Sequence, residues 1–365
     1  MSAAAGSEPR FPSDPPASDA TGDRAPRAVA LGGGHGLHAT LSALRLLADR
    51  GVVDPAVTAV VTVADDGGSS GRLRRELGLL PPGDLRMAMA ALAADDPSGR
   101  RWRDVVQHRF GGSGALAGHA VGNLLLAGLM EVLGDPVAAL DEVGRLLGIR
   151  GRVLPMSCDP LDIEADVTGL DPDTGPAGVH RIRGQVAVAS TPGRVLRVWL
   201  RPEQPRACPE AVAAVETADV LLLGPGSWFT SVLPHLLVPG LRDALSRSRA
   251  RRVVVLNLAP EPGETTGFSP EQYLAVLAEH APELRLDAVV ADVDSVPVPR
   301  RLRQAAEVML SPGGCVHLAP VAAHTPGEAG SGKPRHDPAA LAAALHAVFD
   351  KVLPSHAADV AERRT

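Results

Sequence analysis

The chain has 365 residues, 45% of them hydrophobic, and 42 acidic against 36 basic residues give a formal net charge of −6. That apolar content excludes wholesale disorder, and the length allows one large domain or two small ones. A mildly acidic chain with 3 Trp, 1 Tyr and 5 Phe lacks the basic footprint of a general nucleic-acid binder and the stacking platforms of single-strand binders. Cys158, Cys208 and Cys315 share no short metal-ligand spacing and cannot all pair, which argues against a disulfide scaffold and a zinc site.

In chain order, residues 1–26 are rich in proline, and Phe11 is their only large apolar residue after Met1. They lack the apolar run of a signal peptide and read as a disordered tail. A single domain is expected over 27–350. Ala28–Leu31 is a short apolar run, Gly32 to Gly36 a glycine loop, and Leu37, Leu41, Leu44 and Leu47 keep helical spacing, which together make the first half of a βαβ unit. Val57–Ala64 reads as a second strand covered on both faces, followed by a helix start over 72–77 and apolar helices near 86–94, 102–109, 119–133 and 136–147. From 152 to 200 the texture turns β-rich. Val186–Ala189 and Val195–Leu200 flank Thr191-Pro192-Gly193-Arg194 as a hairpin.

The α/β rhythm then resumes, with helices near 209–217 and 236–248 and strands at Val220–Leu223 and Val253–Leu256. Val220 to Leu241 holds no Asp, Glu, Lys or Arg, but its three prolines would break a membrane span repeatedly. Ser269-Pro270-Glu271-Gln272 starts a helix through a capping box. Strand Ala288–Ala291 follows. Asp337-Pro338 caps a last helix to about Phe349, and 351–365 reads as a flexible tail. The fold expected is α/β, a doubly wound, Rossmann-like and mostly parallel sheet with an inserted β-rich segment. No membrane span is expected, and the protein is expected to be cytoplasmic.

In such a sheet ligands sit beyond the carboxyl ends of the strands. Gly33, Gly34, His35 and Gly36 can offer backbone N–H groups to a phosphate, or form a plain tight turn. Asp65-Asp66-Gly67-Gly68-Ser69-Ser70 joins two carboxylates to a glycine–serine turn; Asp65 and Asp66 would take Mg2+ bridging to phosphate, or form an Asx-turn with an N-cap. Asp84 reads as an N-cap. His119 and Asn123 stand at i and i+4 on one helix face, as a buried pair or a ligand contact. Gly224, Pro225, Gly226, Ser227 and Ser231 suit an anion, and Trp228 or Phe229 could wall a base or sugar. No nucleophile elbow or triad is present. Asn257 ends the next strand, where it would contact a sugar or ribose, 261–267 reads as a loop closing over the sheet edge, and Arg335 could supply a phosphate-binding guanidinium.

The ordered segments GGGHGL at 32–37, VTVADDGGSSGRLR at 61–74, PPGDLR at 81–86, GHAVGN at 118–123, GPGSWFTSVLPHL at 224–236 and PGETTGF at 262–268 resemble the YvcK-type gluconeogenesis factors. These are relatives of the 2-phospho-L-lactate transferases of coenzyme F420 biosynthesis. The resemblance runs from about Ala28 to Phe349. His35 stands where family members usually carry Thr. Gly226-Ser227 replaces the Asn-containing continuation of the transferases' second motif, which points to the regulator branch. The resemblance implies a cytoplasmic protein needed for cell shape and cell-wall synthesis during gluconeogenic growth, with UDP-N-acetylglucosamine as ligand and Arg335 holding it. Three function classes stay open. One is a UDP-sugar sensor with a cell-wall synthesis protein as partner, no required cofactor and a homo-oligomeric state open to it. The second is a Mg2+-dependent transferase of a phosphate-linked group. The third is a scaffold whose pocket is vestigial.

Overall fold

A computed structural model describes residues 24–170, 178–323 and 334–353. Of the expected tails at 1–26 and 351–365, residues 1–23 and 354–365 lie outside the described residues. The first half runs β1 (Ala28–Gly32), α1 (Gly34–Asp49), β2 (Thr58–Val61), α2 (Gly68–Leu77), α3 (Pro82–Leu92), α4 (Pro97–Gln107), α5 (Val121–Leu133), α6 (Pro136–Leu146) and β3 (Arg152–Pro155). An insert follows with β4 (Asp162–Thr168), β5 (Val179–Arg183), α7 (Gln185–Ala189) and β6 (Arg194–Arg201). The second half runs α8 (Pro209–Thr217), β7 (Val220–Leu223), a π-helical turn (Trp228–Val232), α9 (Pro234–Leu237), α10 (Pro239–Arg247), β8 (Arg251–Val255), α11 (Pro270–His280), β9 (Leu286–Asp292), α12 (Pro299–Ala306), β10 (Leu310–Ala319) and α13 (Pro338–Val352).

Seven strands form one parallel sheet in the order β10-β9-β8-β7-β1-β2-β3. β1, β7 and β9 are buried along their whole length, which only helices on both faces can achieve. Pairing of β1 with both β2 and β7 makes the β1/β7 boundary the point where chain order reverses. α1 buries Leu37, Leu41, Leu44 and Leu47 at helical spacing, and it packs against α3 and α13.

The doubly wound sheet and its insert stand as expected, and the capping box at Ser269 forms. Two strands of the main sheet escaped the sequence, as did β4 and β5 within the stretch read only as β-rich. β3 lies at the head of the stretch read as insert, and β10 carries Pro312, Gly313 and Gly314, which hid its pattern. The insert is a three-stranded antiparallel sheet, β5-β4-β6. The expected hairpin arm at 186–189 is helical instead: the Asp66 carboxylate accepts the Val186 N–H at 2.9 Å, giving α7 an N-terminal cap from a distant segment. Asp162 ion-pairs with Arg74 of α2 and Arg183 of β5, tying the insert to the main sheet's helices. The stretch 220–241 splits into strand, turn and helices. Among the described residues no helix is long and apolar enough to cross a membrane.

His235 bolts the carboxyl side of β7 to β2. Its ring is fully buried, with Nε2 3.1 Å from the Val60 carbonyl and Nδ1 3.3 Å from that of Val232. Burial pushes its pKa down from 6.5 to about 4. The neutral ring's contribution to stability is therefore complete above pH 6.5 and lost as pH falls toward 4. Imidazole nitrogen shifts followed by NMR should keep the neutral-ring signature for His235 at pH 5; a protonated signal there would contradict this placement.

Candidate functional site at the strand reversal

The loops after β1 and β7 meet where the sheet order reverses. A Cβ on Gly36 would lie closer than 3.0 Å to the Pro225 carbonyl, so the two loops touch backbone to backbone. Gly224 (φ 72°) and Gly226 (φ 142°) hold left-handed backbone that other residues rarely adopt. Asn257 at the end of β8 grips Gly226 from both sides, accepting its N–H at 2.9 Å and donating to its carbonyl at 2.9 Å. Its amide thus positions the loop. Beneath lies Glu264, which is 1% exposed. Its carboxylate accepts the Phe229 N–H at 2.5 Å, the Thr230 N–H at 3.2 Å and the Ser227 hydroxyl at 2.5 Å. These bonds satisfy donors at the start of the π-helical turn.

Trp228 and Phe229 are fully buried, and Trp228 meets Tyr273 edge-on at 5.1 Å. They cannot wall a ligand as the sequence suggested; the turn directs both rings into the core. Ser231 is also buried and points toward Gly33, whose missing Cβ would lie 2.5 Å from Asp84 Oδ2, 2.5 Å from Thr62 Cγ2 and 3.2 Å from Ser231 Oγ. Only glycine lets these groups close on one another.

Asp84 is not the N-cap that its motif suggested. Pro82 starts α3 and Pro81 is the cap residue, so Asp84 falls in the first turn with its side chain free to reach the β1 loop. There it accepts the Gly34 N–H. Burial, aided by the negative charge of Asp65, raises its pKa to about 7 against the pull of the Gly34 amide and Arg86. Asp65 is raised as well, chiefly by burial, while the Gly67 amide at 2.9 Å and the Ser70 hydroxyl hold it back. The expected Asp65–Asp66 pair is thus rearranged. Asp66 turns away to cap α7, and Asp65 faces Asp84 across Gly83, whose absent Cβ would stand 3.1 Å from Asp65 Oδ2.

Ser69, His119, Asn123 and Arg86 form a buried chain behind these carboxylates. Ser69 Oγ lies 2.9 Å from His119 Nδ1, Asn123 Nδ2 donates to Ser69 Oγ at 2.9 Å, and Arg86 Nε donates to Asn123 Oδ1 at 2.9 Å. Asn123 is 1% exposed and bonded on both sides, so it supports the site from behind. His119 precedes α5 rather than sharing its face with Asn123; the two meet through Ser69. Burial lowers the His119 pKa, and burial brings Arg86 down to about 10.

His35 is exposed on the first turn of α1. Arg335 is also exposed; its carbonyl accepts the Ala323 N–H at 2.7 Å, and its charge is felt by His38 of α1. The next residue, His336, bonds the Leu256 backbone just after β8 and bridges to Ala322 beyond β10, so Arg335 stands at the carboxyl edge of the sheet, where the β1 loop also lies. Sequence reading missed Thr62, Arg86 and Glu264 as members of this cluster and misplaced Asp84. Pro at the first helical position was the available signal for Asp84, because it fixes the helix start two residues earlier.

Among the described residues no group of three or more His, Cys, Asp or Glu could hold a metal alone. Asp65 and Asp84 together offer only two carboxyls, so a Mg2+ at this place would need water and phosphate oxygens to complete its shell. A cavity of about 260 Å3 lined by Arg45, Asp49, Val57, Asp95 and Arg150 opens at the opposite end of the strands, away from these groups.

The family model described as 2-phospho-L-lactate transferase CofD matches residues 28–312. The chain belongs to the CofD family. A putative gluconeogenesis factor of Mycobacterium tuberculosis is 59% identical over 320 residues, covering 88% of this chain and 89% of that protein. The gluconeogenesis factor of Bacillus subtilis is 36% identical over 272 residues, covering 74% and 80%. A crystal structure of a UPF0052 family member from Bacillus halodurans superposes with a TM-score of 0.73 at 31% identity, covering 89% of this chain and all of that one. The CofD match spans both halves of the doubly wound sheet and the insert between them. The resemblance read from the motifs is a family membership.

Proposed function

We propose that this CofD-family chain is a cytoplasmic factor that binds a nucleotide sugar, UDP-N-acetylglucosamine, and supports cell shape and cell-wall synthesis through a protein partner during gluconeogenic growth. The observation that carries the reading is the meeting of the β1 and β7 glycine loops with the Asp65–Asp84 pair at the strand reversal, with Arg335 on the same side. A pyrophosphate suits that edge, because loop backbone and an exposed guanidinium supply positive potential. Mg2+ held by Asp65 and Asp84 would neutralise phosphate charge. The relatives' printed name, gluconeogenesis factor, supports the growth condition.

The acidic pair also favours a second reading, Mg2+-assisted transfer of a phosphate-linked group, in keeping with the family's description. Calorimetry with UDP-N-acetylglucosamine, with and without Mg2+, combined with assays for nucleotide release separates the two. Saturable binding without product supports the sensor, and turnover supports the transferase. Arg335→Ala should weaken binding roughly tenfold or more, the scale of one charge-assisted hydrogen bond, while leaving the melting temperature unchanged. Asp84→Asn should abolish any Mg2+ dependence of binding. Wild-type affinity in both variants would remove these residues from the site.

A further inference from the structure

The site described above makes no use of the three cysteines, yet two of them are neighbours. The chain enters the small sheet through residues 156–161 and leaves it through 202–208, so these segments form the neck of the insert. The segments lie side by side: the Cys208 N–H donates to the Met156 carbonyl at 3.2 Å, and Ser157 and Ala207 form an antiparallel bridge. Arg206 holds Asp159 through two hydrogen bonds of 2.8 and 3.2 Å. In this register Cys158 stands opposite Arg206 and Cys208 opposite Met156, which makes the two cysteines diagonal neighbours on one face of the neck with their side chains in reach of each other. Cys208 is buried and Cys158 is half-buried. One sulfur is therefore open to a small oxidant while the other waits behind it.

We propose that Cys158 and Cys208 are a redox-sensitive dithiol, which a hydroperoxide converts to a disulfide across the neck of the inserted sheet. The thiolate of Cys158 attacks one peroxide oxygen, the O–O bond breaks, and the departing hydroxide takes a proton to become water. Cys158 is left as the sulfenic acid. Cys208 Sγ, whose proton points to Glu210 Oε2 at 3.2 Å, then attacks Cys158 Sγ. The S–S bond forms, the S–O bond breaks, and the hydroxide leaves as water with the Cys208 proton. Two thiols lose two electrons, and hydrogen peroxide becomes two waters. The roles follow from the local chemistry. Cys158 is the half-buried sulfur that an oxidant reaches first, whereas Cys208 is buried and donates a hydrogen bond to Glu210. Glu210 gives the resolving thiol an acceptor for its proton. The cross-link would enclose the whole small sheet in a covalent loop and restrict the unfolded chain.

Treating the full-length protein with hydrogen peroxide, alkylating it and mapping peptides without reductant tests this. The expected product is a Cys158–Cys208 linked peptide, two hydrogens lighter than its parts and released by dithiothreitol, with a melting temperature raised on the order of 5 °C. Cys315→Ser should leave the product intact, and Cys158→Ser should prevent both the product and the shift. The proposal is overturned if wild-type Cys158 ends as sulfenic or sulfinic acid while Cys208 stays alkylatable after denaturation. A link from either residue to Cys315 overturns it equally. These readouts need no nucleotide ligand, so they stand apart from the function proposed above.

Discussion

Gly36→Ala should destabilise the protein by about 3 kcal/mol and abolish the proposed nucleotide-sugar binding. Alanine at this place in α1 would ordinarily help the helix by roughly 0.5–1 kcal/mol. Here its Cβ would meet the Pro225 carbonyl and the Gly226 Cα, both closer than 3.0 Å, and neither is the tip of a flexible side chain. Overpacking against backbone costs about 1–3 kcal/mol, occasionally more, so the clash outweighs the propensity gain. Relief would require the β1 and β7 loops to separate, which spoils the edge on which the ligand is proposed to rest. Gly128→Ala is the control. Gly128 is an exposed interior position of α5 with nothing within 4 Å of a Cβ, and the change should be neutral or stabilising by up to about 1 kcal/mol. Urea unfolding of both variants decides the matter. Equal stabilities would mean that the loops are not in backbone contact.

Glu264→Gln should remove a large part of the pH dependence of stability between about pH 4.5 and 7. Burial raises Glu264 from 4.5 to about 7, and the bonds from Ser227 and the Phe229 and Thr230 amides offset this only in part. A carboxyl raised on folding holds its proton in the native state and releases it on unfolding. Its contribution is therefore complete below the unfolded pKa and is lost as pH rises through the folded one. A shift of that size corresponds to about 3 kcal/mol at most. Glutamine keeps a carbonyl oxygen for the two amides and carries no charge. The difference between wild type and variant should thus shrink at pH 5 and favour glutamine at pH 8. His235 works with the opposite sign over an overlapping range, but it is common to both proteins and cancels in the comparison. Parallel pH profiles for the two proteins would show that Glu264 is ionised throughout.

Both predictions concern contacts between segments far apart in the chain, and that is where sequence reading was weakest. The Asp65-Asp66 dipeptide looks like one acidic unit, yet adjacent side chains on an extended segment diverge. One carboxylate reached α7, and the other stayed at the loop, accepting the Gly67 amide, where burial and its negative charge together raise the pKa of Asp84. Asn257 read as a ligand contact because it ends a strand at the binding edge; the structure commits its amide to Gly226. Glu264 sat in a loop that sequence could place but whose direction, inward beneath the π-helical turn, depended on packing against Trp228 and Phe229. Cys158 and Cys208 lack any metal-like spacing, so their meeting at the neck of the insert left no local trace.

What the sequence determined by itself was the frame. Apolar strands, glycine turns at their carboxyl ends and leucines at helical spacing specify a doubly wound sheet, because each rests on local periodicity and on the need to cover both faces of a parallel sheet. The order of glycine-rich motifs also located the carboxyl edge where the candidate site lies, and the family. Tertiary structure alone decided which polar groups share a site, since a carboxylate's partner and acidity depend on burial and on charges brought near by folding. It made Asp65 and Asp84 the acidic pair, turned the aromatic rings inward and closed the neck with two thiols. Through-space proximity of that kind has no period for a sequence to display.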